Sequence, residues 1–206
     1  TRGNPARGVV LCNFNTIVKV EPVMFKTWLD ILQRSPPSTV LWLLRPKGPV
    51  GDTVVRNLLR EAAARGVLTS RLVMAPRGKK FAHLDRLRNC DLFLDTFDYT
   101  AHSTASDVLF AGVPVLTVQG QTFASRVATT LVQNAGIDEE LVVHSKRDFT
   151  DQAVWLARHP RALLHLRRRL AHHIFWYPLF DTGRLTRNVE RSYQAMWDVR
   201  QATGSL

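Results

Sequence analysis

Short apolar runs alternate with amphipathic stretches along most of this 206-residue chain. The runs predict buried strands at 8–14, 39–44, 71–75, 92–94, 114–118 and 141–143. A helical pattern follows each of the first five runs, and the pattern is helical from residue 147 onward. Because strands that alternate with helices form parallel sheets, we predict an α/β fold. It is a Rossmann-like, doubly wound parallel sheet with extra C-terminal helices.

Start and stop signals place the predicted helices at 22–34, 51–66, 79–88, 102–112, 123–136, 149–159, 160–174 and 185–199. The apolar positions of each helix should pack on the sheet or on a neighbouring helix. In the third helix these positions are Phe81, Leu84 and Leu87. In the last helix we expect four side chains to face inward: Val189, Tyr193, Met196 and Trp197.

The composition fits one globular domain, with 45% hydrophobic and 22% charged residues. Cys12 and Cys90 both lie inside apolar runs, so we expect buried free thiols rather than a disulfide. No apolar run approaches the roughly 18 residues of a membrane span, and no secretory signal is visible. We therefore predict a cytoplasmic protein, nucleocytoplasmic if eukaryotic. The start at Thr1 suggests a piece of a longer chain.

The chain is strongly basic, with 28 Lys and Arg against 17 Asp and Glu and a net charge of +11. Such a charge is typical of nucleic-acid-binding proteins. However, the excess is concentrated after residue 157 on helical patterns, without aromatic residues interleaved at stacking intervals and without a known nucleic-acid-binding motif. We expect a solvated or partner-facing helical surface and no nucleic acid partner. A basic nucleic-acid-binding α/β module stays as the non-enzyme alternative.

Candidate chemistry lies where the strand at 92–94 leads into the next helix. That helix starts at His102-Ser103-Thr104, with Ser103 or Thr104 predicted as the N-cap. Free backbone N–H groups and the positive end of the helix dipole make such a start suited to phosphate. Asp107 lies four residues after Ser103, on the same helix face, where it could meet sugar hydroxyls. An ordinary capped helix would show the same pattern, so this stretch alone leaves both interpretations open.

Three segments that follow predicted strands belong at the same edge of the sheet: Lys19, the loop at 76–80 and the loop at 99–104. Ligands of open α/β sheets bind at that edge. The helix after the second of these segments carries Lys80, His83 and Arg86 three residues apart, either as a plain surface stripe or as ligand contacts. The convergence of these three segments on one edge of the sheet favours a nucleotide diphosphate as the ligand.

Several common catalytic patterns are missing from the chain. It has no GxGxxG, no GxxxxGK[ST], no GxSxG and no His/Cys cluster at zinc spacing. A DxD-type metal site is also missing. We therefore expect no metal and no cofactor, and a bound diphosphate would be neutralised by protein donors such as Lys19.

Six segments resemble the O-linked N-acetylglucosamine transferases, glycosyltransferase family 41, in the same order along the chain. They are CNFNTIVKVEP at 12–22, PSTVLWLLR at 37–45, LDTFDYTAHSTASDVLFAGVPVLT at 94–117, TFASRVATT at 122–130, YPLFDT at 177–182 and YQAMW at 193–197. The resemblance implies that residues 1–206 form one domain, the C-terminal UDP-sugar-binding catalytic lobe of a GT-B glycosyltransferase. The family's N-terminal lobe and tetratricopeptide repeats have no counterpart here.

The resemblance also implies roles for individual residues. Lys19 would contact the diphosphate and act catalytically by stabilising the leaving UDP. The remaining residues implied at the nucleotide are Lys80 at the ribose, His83 at the base, Arg86 beside them, His102, Ser103 and Thr104 at the phosphates, and Asp107 at the ribose hydroxyls. Three positions depart from the usual pattern: Thr16 stands at a phosphate contact that is usually Gln, Gly78 meets uracil through its backbone, and Tyr99 replaces a smaller residue beside the N-acetyl group.

The implied activity is transfer of GlcNAc from UDP-GlcNAc to Ser or Thr hydroxyls of proteins, with inversion and without a metal. The implied partners are the UDP-sugar, the protein acceptor, the N-terminal lobe and the tetratricopeptide repeats of the parent chain. Alone, the chain should bind UDP weakly and be inactive. The alternative within enzymes is a GT-B transferase for another hexose or nucleotide, such as UDP-glucose or a GDP-sugar.

Overall fold

The computed structural model describes residues 8–204 and shows six parallel strands in one sheet. The strands are β1 Val10–Asn13, β2 Val40–Leu44, β3 Leu72–Ala75, β4 Leu92–Leu94, β5 Val115–Val118 and β6 Val142–Val143. Their order in the sheet is β3-β2-β1-β4-β5-β6. The chain thus builds outward from β1 to β3 and then returns to place β4 on the other side of β1. This arrangement confirms the predicted doubly wound parallel sheet.

The helices that flank the sheet are α1 Pro22–Arg34, α2 Gly48–Ala64, α3 Lys80–Leu87, α4 Ser103–Phe110, α5 Val127–Asn134, α6 Lys146–Arg158, α7 Pro160–His173 and α8 Thr182–Thr203. Four of the predicted starts were wrong by three or more residues, each for a local reason. Pro49 lets α2 begin at Gly48. Ser145 caps α6 by accepting from the Asp148 N–H, so α6 begins three residues early. A turn closed by Thr122 and Ser125 delays α5 to Val127. Asp181 caps α8 by accepting from the Arg184 N–H, so α8 begins three residues early.

The core lies around β1 and β4, the two central strands. Leu11 on β1 pairs with Leu41 on one side and Leu92 on the other, and all three are fully buried. Cys12 and Cys90 are also buried and free, which confirms the expectation for the thiols. Burial and the neighbouring Cys90 raise the pKa of the Cys12 thiol, so both groups act as small core side chains.

The outer helices depart most from the prediction. The four side chains expected to face inward from α8 are all exposed, and none of the described residues of α8 is buried. The main contact of α8 among the described elements is the short turn Pro178–Phe180, which leaves its apolar stripe uncovered. Phe81 was also wrongly placed on a packed face, because it is 86% exposed in the first turn of α3. None of the helices described in 8–204 has the length and apolar character needed to cross a membrane.

Candidate functional site

The carboxyl ends of β1 and β4 form the crevice where the strand order changes. Asn13 Nδ2, at the end of β1, donates to the Leu94 carbonyl at 2.7 Å. Two residues further on, Asn15 Nδ2 donates to Thr96 Oγ1 at 3.1 Å. The segments that leave the two strands are therefore fastened side by side. This is the position at which open α/β sheets bind their ligands.

Lys19 lies in this crevice, in a turn of 3₁₀ helix that follows β1. Its Nζ donates to the Thr100 carbonyl at 2.8 Å and lies 3.8 Å from the centre of the Tyr99 ring. Burial lowers the pKa of Lys19, while the nearby Asp95 acts in the opposite direction. The carbonyl uses one of the three ammonium donors, so the others can meet an anion. Thr16 is exposed, and its carbonyl accepts the Lys19 N–H at 3.0 Å.

The start of α4 differs from the prediction in its cap. The N-cap residue is His102, not Ser103 or Thr104, and no side chain caps the helix. The Ser106 N–H is the first to bond within the helix, to the His102 carbonyl at 3.2 Å. The three preceding N–H groups of α4 have no intrahelical partner. This helix end therefore presents unpaired donors and a positive dipole end to any anion in the crevice.

Aromatic rings surround the start of α4. The His102 ring lies 4.9 Å from the Tyr99 ring and 6.2 Å from the Phe123 ring. Its Nε2 is 3.2 Å from the Ala124 carbonyl, which fixes the ring against the segment after β5. Tyr99 thus contacts both Lys19 and His102, and the residue is 49% exposed. Lys19 and His102, two of the residues predicted to bind phosphate, therefore both contact Tyr99.

His83 and Arg86 form a second group, on α3. Arg86 Nε donates to His83 Nδ1 at 3.1 Å, so His83 carries its proton on Nε2. The His83 ring also packs edge-on against Phe14, with the ring centres 5.5 Å apart. Burial and then the Arg86 charge lower the pKa of His83, while Asp107 acts against them. His83 is therefore a neutral donor at neutral pH, and α4 brings Asp107 close enough for its charge to reach the imidazole.

The other predicted residues on this side are exposed. Gly78 and Lys80 are both open to solvent where the chain enters α3. A Cβ at Gly78 would meet only the Ala82 Cβ, at 3.9 Å, so the backbone there is open to approach. Within residues 8–204, no three His, Cys, Asp or Glu side chains come together as a metal site.

Sequence reasoning missed Asp95, which follows β4 directly and is fully buried. Its Oδ1 accepts from the backbone N–H groups of Thr96 at 2.8 Å and Ala101 at 2.7 Å. Its Oδ2 accepts from Thr117 Oγ1 at 2.8 Å. Burial raises the pKa of Asp95 to about 6, against the effect of these hydrogen bonds and of Lys19. An acid placed immediately after a buried strand was the signal that could have revealed it.

Comparison with known proteins decides the family. The pattern that defines glycosyl transferase family 41 matches residues 1–189, most of the chain. The chain belongs to glycosyl transferase family 41. A relative from Arabidopsis thaliana, named probable UDP-N-acetylglucosamine–peptide N-acetylglucosaminyltransferase SEC, is 36% identical over 96% of this chain. The Caenorhabditis elegans UDP-N-acetylglucosamine–peptide N-acetylglucosaminyltransferase is 32% identical over 94% of it. The chain spans only 20% and 16% of the lengths of these two relatives.

Solved structures show the same architecture. A mutant of the Thermobaculum terrenum O-GlcNAc transferase superimposes with a TM-score of 0.86 and 29% identity, over 97% of this chain and 38% of that one. Anabaena HepE, solved with UDP and glucose, has a TM-score of 0.63 over 91% of this chain and 49% of its own. At 13% identity HepE shows the fold alone. The family 41 chain therefore has the predicted lobe architecture of GT-B glycosyltransferases.

Proposed function

We propose that residues 1–206 are the donor-binding lobe of an inverting, metal-independent protein O-GlcNAc transferase that takes UDP-GlcNAc. Family membership and the names of the relatives support the reaction class. The observation that carries the site is the uncapped start of α4 beside the Lys19 ammonium, at the change of strand order. An anion placed there meets backbone donors and a cation together.

In this proposal, the diphosphate lies between Lys19 and the start of α4, where His102, Ser103 and Thr104 hold it. When the sugar–oxygen bond breaks, negative charge grows on the leaving UDP. The helix start and the ammonium stabilise that charge without a metal, because both are in place before the reaction. We also propose that the reaction inverts the anomeric centre of the sugar and that its acceptors are Ser and Thr hydroxyls.

The nucleoside extends from the diphosphate toward α3. There the neutral His83 offers its Nε2–H to the base, and Lys80 and Asp107 meet the ribose. Arg86 holds His83 through Nδ1, so its part is to fix the imidazole. The backbone of Gly78 is open enough to approach the base, and Thr16 lies at the phosphates. Tyr99 borders the sugar.

The proposal extends to the rest of the protein. The acceptor is a protein Ser or Thr hydroxyl, and the catalytic site is completed by an N-terminal lobe and tetratricopeptide repeats in the parent chain. We place the protein in the cytoplasm, or in the nucleus and cytoplasm of a eukaryote. Support comes from two relatives named as peptide N-acetylglucosaminyltransferases, of which this chain covers a fifth or less.

The contacts of two late arginines argue against the nucleic acid alternative. Arg167 donates to the Cys90 carbonyl and lies 3.9 Å from Asp91. Arg169 pairs with Glu140. Part of the positive charge near the C-terminus is therefore used to fasten α7 to the sheet and loops, and is not free for phosphates.

Titration calorimetry with UDP on the 206-residue chain tests the proposed site. We expect weak binding of UDP, weaker binding of GDP, and no transfer of sugar to a peptide. Binding should be unchanged by a chelator. Absence of UDP binding, or its loss on chelation, would contradict the site. Comparison of UDP-GlcNAc with UDP-glucose then tests the sugar, and steep salt dependence with random RNA would instead favour the nucleic acid alternative.

A further inference from the structure

Segment 96–101, between β4 and α4, is closed into a loop by one carboxylate. The two N–H groups that bond to Asp95 Oδ1 belong to Thr96 and Ala101, the two ends of this segment. Thr117 on β5 holds the other carboxylate oxygen. All three hydrogen bonds are buried. Asp95 therefore shapes the segment from inside the protein.

The closed segment in turn holds Lys19. Its Thr100 carbonyl accepts from Lys19 Nζ, and its Tyr99 ring lies under the same ammonium. Thr96 Oγ1 donates to the Tyr99 carbonyl at 2.6 Å, which tightens the middle of the segment. Both contacts of the ammonium thus come from residues whose positions depend on the ends tied by Asp95.

We propose that Asp95 is a positioning residue, which fixes segment 96–101 and thereby holds the Lys19 ammonium beside the start of α4. Its link to sugar transfer rests on the proposed function, whereas its hold on Lys19 does not. Asp95 acts through Thr100 and Tyr99 and does not touch the ligand itself.

The cost of a carboxylate at this position supports the proposal. A neutral amide has a single acceptor oxygen and could not accept hydrogen bonds at both positions, whereas the carboxylate accepts all three in an apolar interior. Its negative charge acts on Lys19, where it raises the pKa against the effect of burial. The carboxylate therefore helps to keep Lys19 protonated as well as in place.

The test compares Asp95→Asn with Asp98→Asn in the ligand-free 206-residue chain. Asp98 is a matched control, because it lies in the same segment but is exposed. Each lysine is labelled with acetic anhydride across a range of pH and quantified by mass spectrometry, with the exposed Lys26 as internal reference. In Asp95→Asn we expect the labelling midpoint of Lys19 to move to lower pH, and its limiting rate to rise severalfold as the ammonium loses its contacts. Asp98→Asn and Lys26 should show neither change.

Unchanged Lys19 labelling in a folded Asp95→Asn chain would overturn the proposal. If that variant does not fold, Thr117→Val takes its place in the test, because it removes only the hydrogen bond to Asp95 Oδ2. It should shift the labelling midpoint of Lys19 in the same direction by a smaller amount. Unchanged labelling in that variant would overturn the proposal equally.

A kinetic readout in the full-length parent enzyme connects Asp95 to the reaction. There we expect Asp95→Asn to lower kcat by about 10- to 100-fold with little change in KM, because a displaced ammonium loses its place near the departing charge. If the kcat of Asp95→Asn equals that of the wild type, Asp95 has no role in catalysis. If wild-type protein fails to bind UDP, the proposed function fails, but the labelling still decides whether Asp95 holds Lys19.

Discussion

The segment after β4 and the helix after β3 lie at the same edge of the sheet, but they are held in different ways. Segment 96–101 is tied to the buried carboxylate of Asp95, and it fixes Lys19. At the start of α3, by contrast, Gly78, Lys80 and Phe81 are all exposed. We infer that the phosphate side is ordered before the ligand arrives, whereas much of the base side is ordered by the ligand. Such preorganisation matters most where charge develops in the reaction.

The sharpest way to break this comparison is Lys19→Ala in the parent enzyme. We expect kcat to fall by about 10²- to 10³-fold, the range found when a prearranged donor to a developing anion is removed. Affinity for the UDP-sugar should change much less, since in the proposed mechanism the lysine acts mainly on the departing charge. Steady-state kinetics measure both, with Lys26→Ala on α1 as control. A fall in affinity with unchanged kcat would place Lys19 in ground-state binding instead.

Asp95→Asn should change how stability depends on pH. Burial raises the pKa of Asp95 to about 6 in the folded chain, above its ordinary value of 3.8. The folded state therefore binds the Asp95 proton more tightly than the unfolded state does. Protonation of Asp95 stabilises the folded state fully below pH 3.8, and this stabilisation is lost as pH rises through about 6. From pH 4 to 7, the free energy of unfolding of wild type relative to the variant should fall by on the order of 2–3 kcal/mol. Urea unfolding at several pH values measures it, and a constant difference would contradict the buried charge.

Asp107→Ala tests the place where the phosphate side meets the base side, because Asp107 lies on α4 while its charge reaches His83 on α3. Loss of a charge-assisted hydrogen bond to the ribose should weaken UDP binding by about 1–3 kcal/mol. Calorimetry measures this loss, and Asp98→Ala serves as the control. Wild-type affinity in Asp107→Ala would exclude the ribose contact.

Lys80→Ala should have the smallest effect, since Lys80 is exposed. We expect UDP affinity to fall by less than about 1 kcal/mol at low salt, with the loss disappearing as salt screens the charge. Lys79→Ala, one residue earlier and also exposed, is the matched control. A large loss that persists at high salt would show that the base side is as tightly built as the phosphate side.

The order of strands and helices could be predicted because apolar runs and helical periodicity are local properties of the chain. The edge of the sheet that carries Lys19 and the start of α4 followed from that order alone. The identity of the N-cap did not, since His102 takes the position through contacts with Tyr99 and Ala124 rather than through its own propensity.

Two further failures have a long-range cause. The role of Asp95 depends on Thr117, 22 residues away on another strand, so its place directly after a buried strand could mark it as a candidate but could not show what it holds. The stripe on α8 was correctly identified as apolar, but its periodicity cannot say whether anything in the described chain covers it. Periodicity predicts a face; it does not predict what packs on that face.

The pairing of β1 with β4 also has a consequence for how the site forms. Leu11 pairs with Leu92, and the same offset of 81 residues recurs in the bonds from Asn13 to Leu94, from Asn15 to Thr96 and from Lys19 to Thr100. One register therefore aligns the whole crevice, and a slip of a single residue between these strands would misalign every bond at once. Since each bond closes a long loop, none can form early in folding by itself. The geometry of the site therefore depends on the pairing of β1 with β4, which joins the two halves of the sheet.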